Sequence, residues 1–178
     1  MKKLLVTLTA VLVSVSTFGQ GTIFFNNRTS AGDVRIYAPD GVAGAGSLGT
    51  VNAQLYLVPA GGGAHVPLLP ATTFRSGNAS FFVNPLDVTT DLPAGTSVQV
   101  IVKAWMGGAS YETATQFVGE SLPVTIAGLG GVNPTTGAIV PTPDLSGLQS
   151  FNLRVVPEPS TIALGLFGAA ALLYRRRK

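Results

Sequence analysis

From Gly21 onward the chain runs in short apolar bursts, each stopped by Gly, Pro, Asn or Asp: GTIFFNN (21–27), DVRIYAP (33–39), NAQLYLVP (52–59), ASFFVN (79–84), TSVQVIVKAW (96–105), SLPVTIAG (121–128) and SFNLRVV (150–156). Val, Ile, Phe and Tyr dominate them, as strand segments require. In the fifth, Val98, Val100 and Val102 fall on one face while Gln99 and Lys103 fall on the other, the period-2 pattern of a half-buried strand. No dozen residues of the middle keep a 3.6-residue period without Gly or Pro. The pattern predicts an all-β body, a single antiparallel β-sandwich of about seven short strands. Its connections are long and glycine-rich, PDGVAGAGSLGT, PAGGGAHVPLLPATTFRSG and AGLGGVNPTTGAIVPTPDLSG among them.

The two ends follow a different pattern. Lys2 and Lys3 precede an apolar run from Leu4 to Phe18 and then small residues, which is the layout of a secretory signal peptide cut after Gly19; a retained N-terminal anchor is the other reading. At the other end Thr161–Tyr174 is an apolar run of 14 residues. As a helix it spans about 21 Å against a hydrocarbon core of roughly 30 Å. It ends in Arg175, Arg176, Arg177 and Lys178, a membrane stop that the positive-inside rule keeps cytoplasmic. The expected organisation is therefore a signal helix over 1–19, the sandwich over 20–155, and a C-terminal segment over 156–178 with a short transmembrane helix at 161–174.

Charge sharpens this division. The chain has 178 residues and a formal net charge of +3. Between Gln20 and Val156, five cations face seven anions, so the basic character lies wholly at the ends. A nucleic-acid partner is thereby disfavoured, since it needs Lys and Arg clustered on a folded face. The chain has no cysteine, so an exported body must fold without disulfides.

Candidate chemistry is sparse. GAGSLG, Gly44–Gly49, matches G-x-G-x-x-G, but a strand rather than a helix follows and no acid lies about 20 residues on, so it reads as a turn. Ser47 in the same stretch resembles a nucleophile elbow, yet the sole histidine, His65, sits in a triple-glycine loop, which argues against a secreted hydrolase. Asn84, Asp87 and Asp91 offer hard oxygen ligands without the spacing of a calcium loop. Asn27 and Asn78 each begin a glycosylation sequon. Trp105 and Tyr111, with Phe81 and Phe82, are candidates for an aromatic ligand platform against the commoner role of core packing. No metal, cofactor or catalytic group is expected.

Just before the apolar run, Pro157 and Pro159 fix φ and disfavour a helix, leaving Glu158 on an extended backbone of the shape proteases and transpeptidases bind. The Pro157-Glu158-Pro159 triplet, the apolar segment and the terminal cations together resemble the PEP-CTERM sorting signal of exported proteins in Gram-negative bacteria. The resemblance implies recognition by exosortase, a membrane-embedded cysteine protease or transpeptidase, followed by release or transfer to the cell surface. Pro157, Glu158 and Pro159 are then sites acted upon. The body resembles more loosely a group of such proteins through GTIFFNNR, VQVIVKAW, SYETA and LSGLQSFNLRVVPEPS. Tails of this type also carry an ice-binding label, but ice binding calls for a regular Thr array and the body has one T-x-T, Thr113 to Thr115.

The expectation is a non-enzymatic exported protein, anchored for a time in the inner membrane with its body in the periplasm and then placed at the surface or in an extracellular matrix. Its expected partners are signal peptidase and the export machinery, exosortase, the membrane and extracellular polysaccharide. The alternative is a carbohydrate-binding module using exposed aromatics.

Overall fold

The computed structural model describes residues 19–157 and Gly165. The expected signal segment up to Phe18, Glu158 and Pro159 of the motif, the apolar run other than Gly165, and the cations Arg175–Lys178 lie outside the described residues. Among those described, no helix is long and apolar enough to cross a membrane.

The body is built of short strands and three 3-10 turns, Ala45–Leu48, Gly77–Ala79 and Tyr111–Thr113. The first strands are β1 (Gln20–Phe25), β2 (Arg28–Thr29), β3 (Gly32–Asp33), β4 (Ile36–Tyr37), β5 (Asn52–Val58), β6 (Val66–Thr73) and β7 (Leu86–Pro93). The rest are β8 (Val98–Met106), β9 (Phe117–Glu120), β10 (Val124–Ile126), β11 (Gly131–Val132), β12 (Ile139–Val140), β13 (Phe151–Asn152) and β14 (Arg154–Val155). Instead of about seven strands in one antiparallel sandwich there are fourteen, in one six-stranded and four two-stranded sheets. All pair antiparallel except β13 with β4, which run parallel.

The six-stranded sheet runs β14-β9-β8-β5-β6, with β10 also on β8. Strand β8 is its axis: β5 covers one edge along seven register pairs, and β9 and β10 share the other end to end. Three residues, Ser121 to Pro123, bridge these two partners opposite only Ile101 and Val102. Ser121 makes that bulge workable, because its N–H bonds the Val102 carbonyl while its Oγ accepts from the Val102 N–H. A second irregularity lies on β6, where Leu69-Pro70-Ala71 bulge away and the Gln54 amide donates to the Leu68 carbonyl.

The inner face of this sheet supplies Ala53, Leu55, Val100, Val102, Val124 and Ile126 to one core cluster, joined by Ile23, Phe25 and Val88 of the β1–β7 pair and by Leu129, Leu145 and Leu153. Several expected strands differ from the pattern. ASFFVN forms no strand; it begins in the Gly77–Ala79 turn and pairs only as an isolated bridge, Val83 with Phe74, beside the bonds of Asn84 to Thr73. The stretch 150–156 splits into β13 and β14 around buried Leu153. Strands β6 and β7 form where loops were expected. Two prolines mask β6, which tolerates them as an edge strand. In β7, Val88 and Thr90 point inward between exposed Asp87, Thr89 and Asp91.

Asn27 ties these parts together. Its buried amide donates to the carbonyls of Val34 (2.7 Å) and Phe81 (2.9 Å), and its Oδ1 accepts from the Val83 N–H (2.9 Å). That role removes it as a glycosylation acceptor in the folded body, whereas Asn78 lies exposed. Asn27→Ala removes three side-chain hydrogen bonds to the backbone, leaving the Val34 carbonyl and the buried Val83 N–H without a partner, and should cost roughly 2–4 kcal/mol in chemical denaturation, while Asn78→Ala should stay within about 0.5 kcal/mol.

Candidate functional site

The ten residues 107–116 that join β8 to β9 do not project into solvent. Gly107 takes φ +82°, and its carbonyl accepts from both the N–H and the hydroxyl of Thr115. Gly108 approaches the Thr113 carbonyl so closely that a Cβ would collide with it. Ser110 and Thr113 cap the intervening Tyr111–Thr113 turn reciprocally. The loop is thereby folded back over the outer face of the sheet.

Beneath it lies Lys103, 8% exposed in the middle of β8. Its Nζ sits 4.4 Å from the centre of the Tyr56 ring and 4.5 Å from that of Tyr111, with a Glu112 carboxylate oxygen at 3.8 Å. Two ring faces and one carboxylate thus replace the water that an ammonium loses on burial. The Tyr56 hydroxyl donates to Glu112 and the Tyr111 hydroxyl to Glu120, which stands directly across from Lys103. Burial pushes the Tyr56 phenol up to about 12, with the Glu112 charge adding to it. Tyr111 is raised for the same leading reason, helped by Glu120 and opposed by the Arg154 guanidinium. For Glu112, burial acts upward but hydrogen bonds from its own backbone and Ser110, with the Lys103 charge, bring it below the usual carboxylate value. The ion pair, the two ring contacts and the two tyrosine hydroxyl bonds together fix the loop over the sheet.

Trp105 belongs to the same layer. It is 2% exposed and its indole N–H donates to the Gly108 carbonyl at 3.1 Å. Tyr111 is occupied by Lys103. Phe81 and Phe82 lie elsewhere, stacked under Arg35 and Arg28, with Tyr37 edge-on to Phe81. Trp105 therefore offers no exposed face, because the returning loop covers it, while Tyr111, on that loop, is half-buried with its ring over Lys103.

The other candidates separate as well. Gly44–Gly49 is a 3-10 turn packed against Ser80 and Arg75, and the Ser47 hydroxyl donates to the Gly44 carbonyl. His65 is half-buried just before β6. Asp87 and Asp91 stand four residues apart on one strand face, about 13 Å, too far to share a cation. Asn84 is engaged with Thr73. Among the described residues no group of three acidic, His or Cys side chains is placed to hold a metal. Thr113 and Thr115 use their hydroxyls within the loop, so this T-x-T presents no array. A cleft of about 600 Å³ at the far end of β8, walled by Leu57, Pro59, Leu92 and Val98, has no ionisable side chain in its lining.

The remaining feature is the exit of the chain. Leu153 is buried with its N–H on the Tyr37 carbonyl. Strand β14 then pairs with β9 through Arg154↔Val118 and Val155↔Phe117, and the Val156 N–H bonds the Gln116 carbonyl at 2.9 Å. Pro157, the next residue, is exposed. The body thus delivers Pro157 straight from a sheet edge, with no linker before it. Residues 155–178 match the PEP-CTERM protein-sorting motif. No curated protein and no solved structure matches the chain. The PEP-CTERM motif marks an exported protein that associates with the membrane and is sorted through exosortase. Of the residues expected to carry sorting, Pro157 is the one whose setting the structure describes.

Sequence reasoning did not single out Tyr56, Lys103, Glu112 and Glu120 as a cluster. Lys103 was the available signal, a lone cation inside VQVIVKAW, with Tyr56 on the strand that pairs with it.

Trp105 is the sole tryptophan, so the protein should show blue-shifted, acrylamide-resistant emission; emission like that of free tryptophan would contradict its burial. Tyr56 has its pKa raised from 10.0 to about 12 in the fold, so the unfolded chain ionises first. Its contribution to stability is complete below pH about 10 and is lost as pH rises through about 12. Alkaline unfolding should show this decline, and Tyr56→Phe should flatten it.

Proposed function

We propose that this chain is an exported, non-enzymatic cargo protein whose fate is set by its C-terminal motif. An N-terminal signal peptide over 1–19 directs it to export. The apolar segment 161–174 holds it in the inner membrane with the body on the periplasmic side, and Arg175, Arg176, Arg177 and Lys178 stop the last residues from following. Exosortase then acts at Pro157-Glu158-Pro159, and the body passes to the cell surface or the extracellular matrix. The observation that carries this reading is the match over residues 155–178, joined to a sheet edge that presents Pro157 to solvent.

The body, 20–155, is read as one small β-sandwich because the β1–β7 pair and the inner face of the six-stranded sheet share a single core cluster. Its non-enzymatic role is supported by the engagement of Ser47, Lys103, Tyr56 and Glu112 in local contacts.

Intact-mass measurement of the mature protein from cells with and without exosortase tests the proposal. The expected result is loss of residues 1–19 in both, and loss of the apolar tail only where exosortase is present. An intact tail in both strains would sink the sorting step.

A further inference from the structure

We propose that the exit strand is itself part of the processing substrate: Arg154–Val156 must leave β9 before the membrane enzyme can act, so the body's hold on β14 sets the rate of processing. The proposal rests on the exosortase reading above. Its basis is a shortage of chain. Only residues 157–160 separate the last backbone hydrogen bond of the body from the apolar run at Thr161. Whatever their conformation, the five residue steps from Val156 to Thr161 reach at most about 18 Å. A body of this size has a radius of gyration of roughly 14 Å, and its bulk meets the membrane surface within that reach. An enzyme embedded in the same membrane must lay the backbone around Pro157–Pro159 in its own cleft, so body, bilayer and enzyme compete for four residues.

Release of Arg154–Val156 adds about 10 Å of free chain. The structure makes this segment separable. Strand β14 has two residues, both exposed, and Val155 leaves 62% of its surface in water. Two register pairs and the Val156–Gln116 hydrogen bond hold it, with Arg154 beside the Tyr111–Glu120 pair. Segments with few buried contacts open at far lower cost than the core. The opening also has a defined end. Leu153 is 2% exposed, bonded to Tyr37, and packed so closely on β9 that a Cβ at Gly119 would meet its side chain at 2.8 Å. The strand can therefore peel back to Leu153 without uncovering the core.

Because the chain has no cysteine, a disulfide across the Arg154↔Val118 pair gives a clean lock. In the full-length, membrane-anchored V118C/R154C variant presented to exosortase-containing membranes, the disulfide form should be processed at least about tenfold more slowly than either single-cysteine variant under the same redox conditions. A Gly/Ser spacer of about eight residues between Val156 and Pro157 should restore processing with the disulfide in place. Equal processing of the locked and single-cysteine forms would overturn the proposal, as would a spacer without effect. In the unaltered protein, the Val156 amide should exchange with solvent at least about tenfold faster than that of Leu153; equal protection of the two would also overturn it, whether or not the double variant folds. Wild-type processing that does not depend on exosortase would instead remove the reading on which the proposal rests.

Discussion

Strand β8 is the constraint from which the rest of the body follows. A nine-residue strand at the centre of a sheet has two backbone edges and two faces to cover. Its edges take three partners, β5 on one side and β9 followed by β10 on the other. Two short strands can share one edge only if the chain between them absorbs an extra residue. Ser121 meets that need by accepting the Val102 N–H on its side chain and donating its own hydroxyl to the Leu122 carbonyl. Pro123 follows, where no ladder donor is available to lose. The inner face is covered by the common core; the outer face at Lys103 and Trp105 has to be covered by something else.

The β8–β9 loop supplies that cover, and Lys103 determines its composition. A buried ammonium needs compensation on several sides. Tyr56 comes from β5 and Tyr111 and Glu112 from the loop, so two segments besides β8 must be in place before the cation is satisfied, and Glu120 of β9 holds the Tyr111 hydroxyl. The Glu112 side chain remains 57% exposed, so the ion pair adds little by itself and the two rings carry most of the compensation. The cluster therefore serves better to specify the loop's position than to add stability. It also explains why Trp105 lies buried beneath the loop.

Legibility in the sequence follows the same division. The strands that contribute an uninterrupted apolar face, β1, β5 and β8, were readable because their period-2 pattern survives without help from distant residues. Strand β6 was hidden by Pro67 and Pro70, which an edge strand accepts and an isolated pattern counts against. Strand β7 was hidden because Asp87 and Asp91 look like turn residues until Val88 and Thr90 are known to point inward. Trp105 could not be assigned to interior or surface from its neighbours, since its burial depends on a loop that returns only because Gly107, Gly108, Ser110 and Thr113 bend it there. The motif at the C-terminus was legible for the opposite reason. Its recognition depends on local chain chemistry, two prolines, a carboxylate and an apolar run, and needs no tertiary context.

The place where the two kinds of information meet is Leu153. Upstream of it the chain is held by burial and by long-range hydrogen bonds, and downstream by a short exposed ladder that ends one residue before Pro157. Stability is therefore graded along the last few residues of the body, high at Leu153 and low at Val156. A fold that ended in a longer or better buried strand would compete more strongly with any enzyme for the adjoining peptide. One that ended in a free linker would give up the grip altogether. The two-residue strand lies between these limits, and Gly119 is what permits it: the absence of a side chain there lets Leu153 drop into the core and brings Arg154 back to the sheet edge.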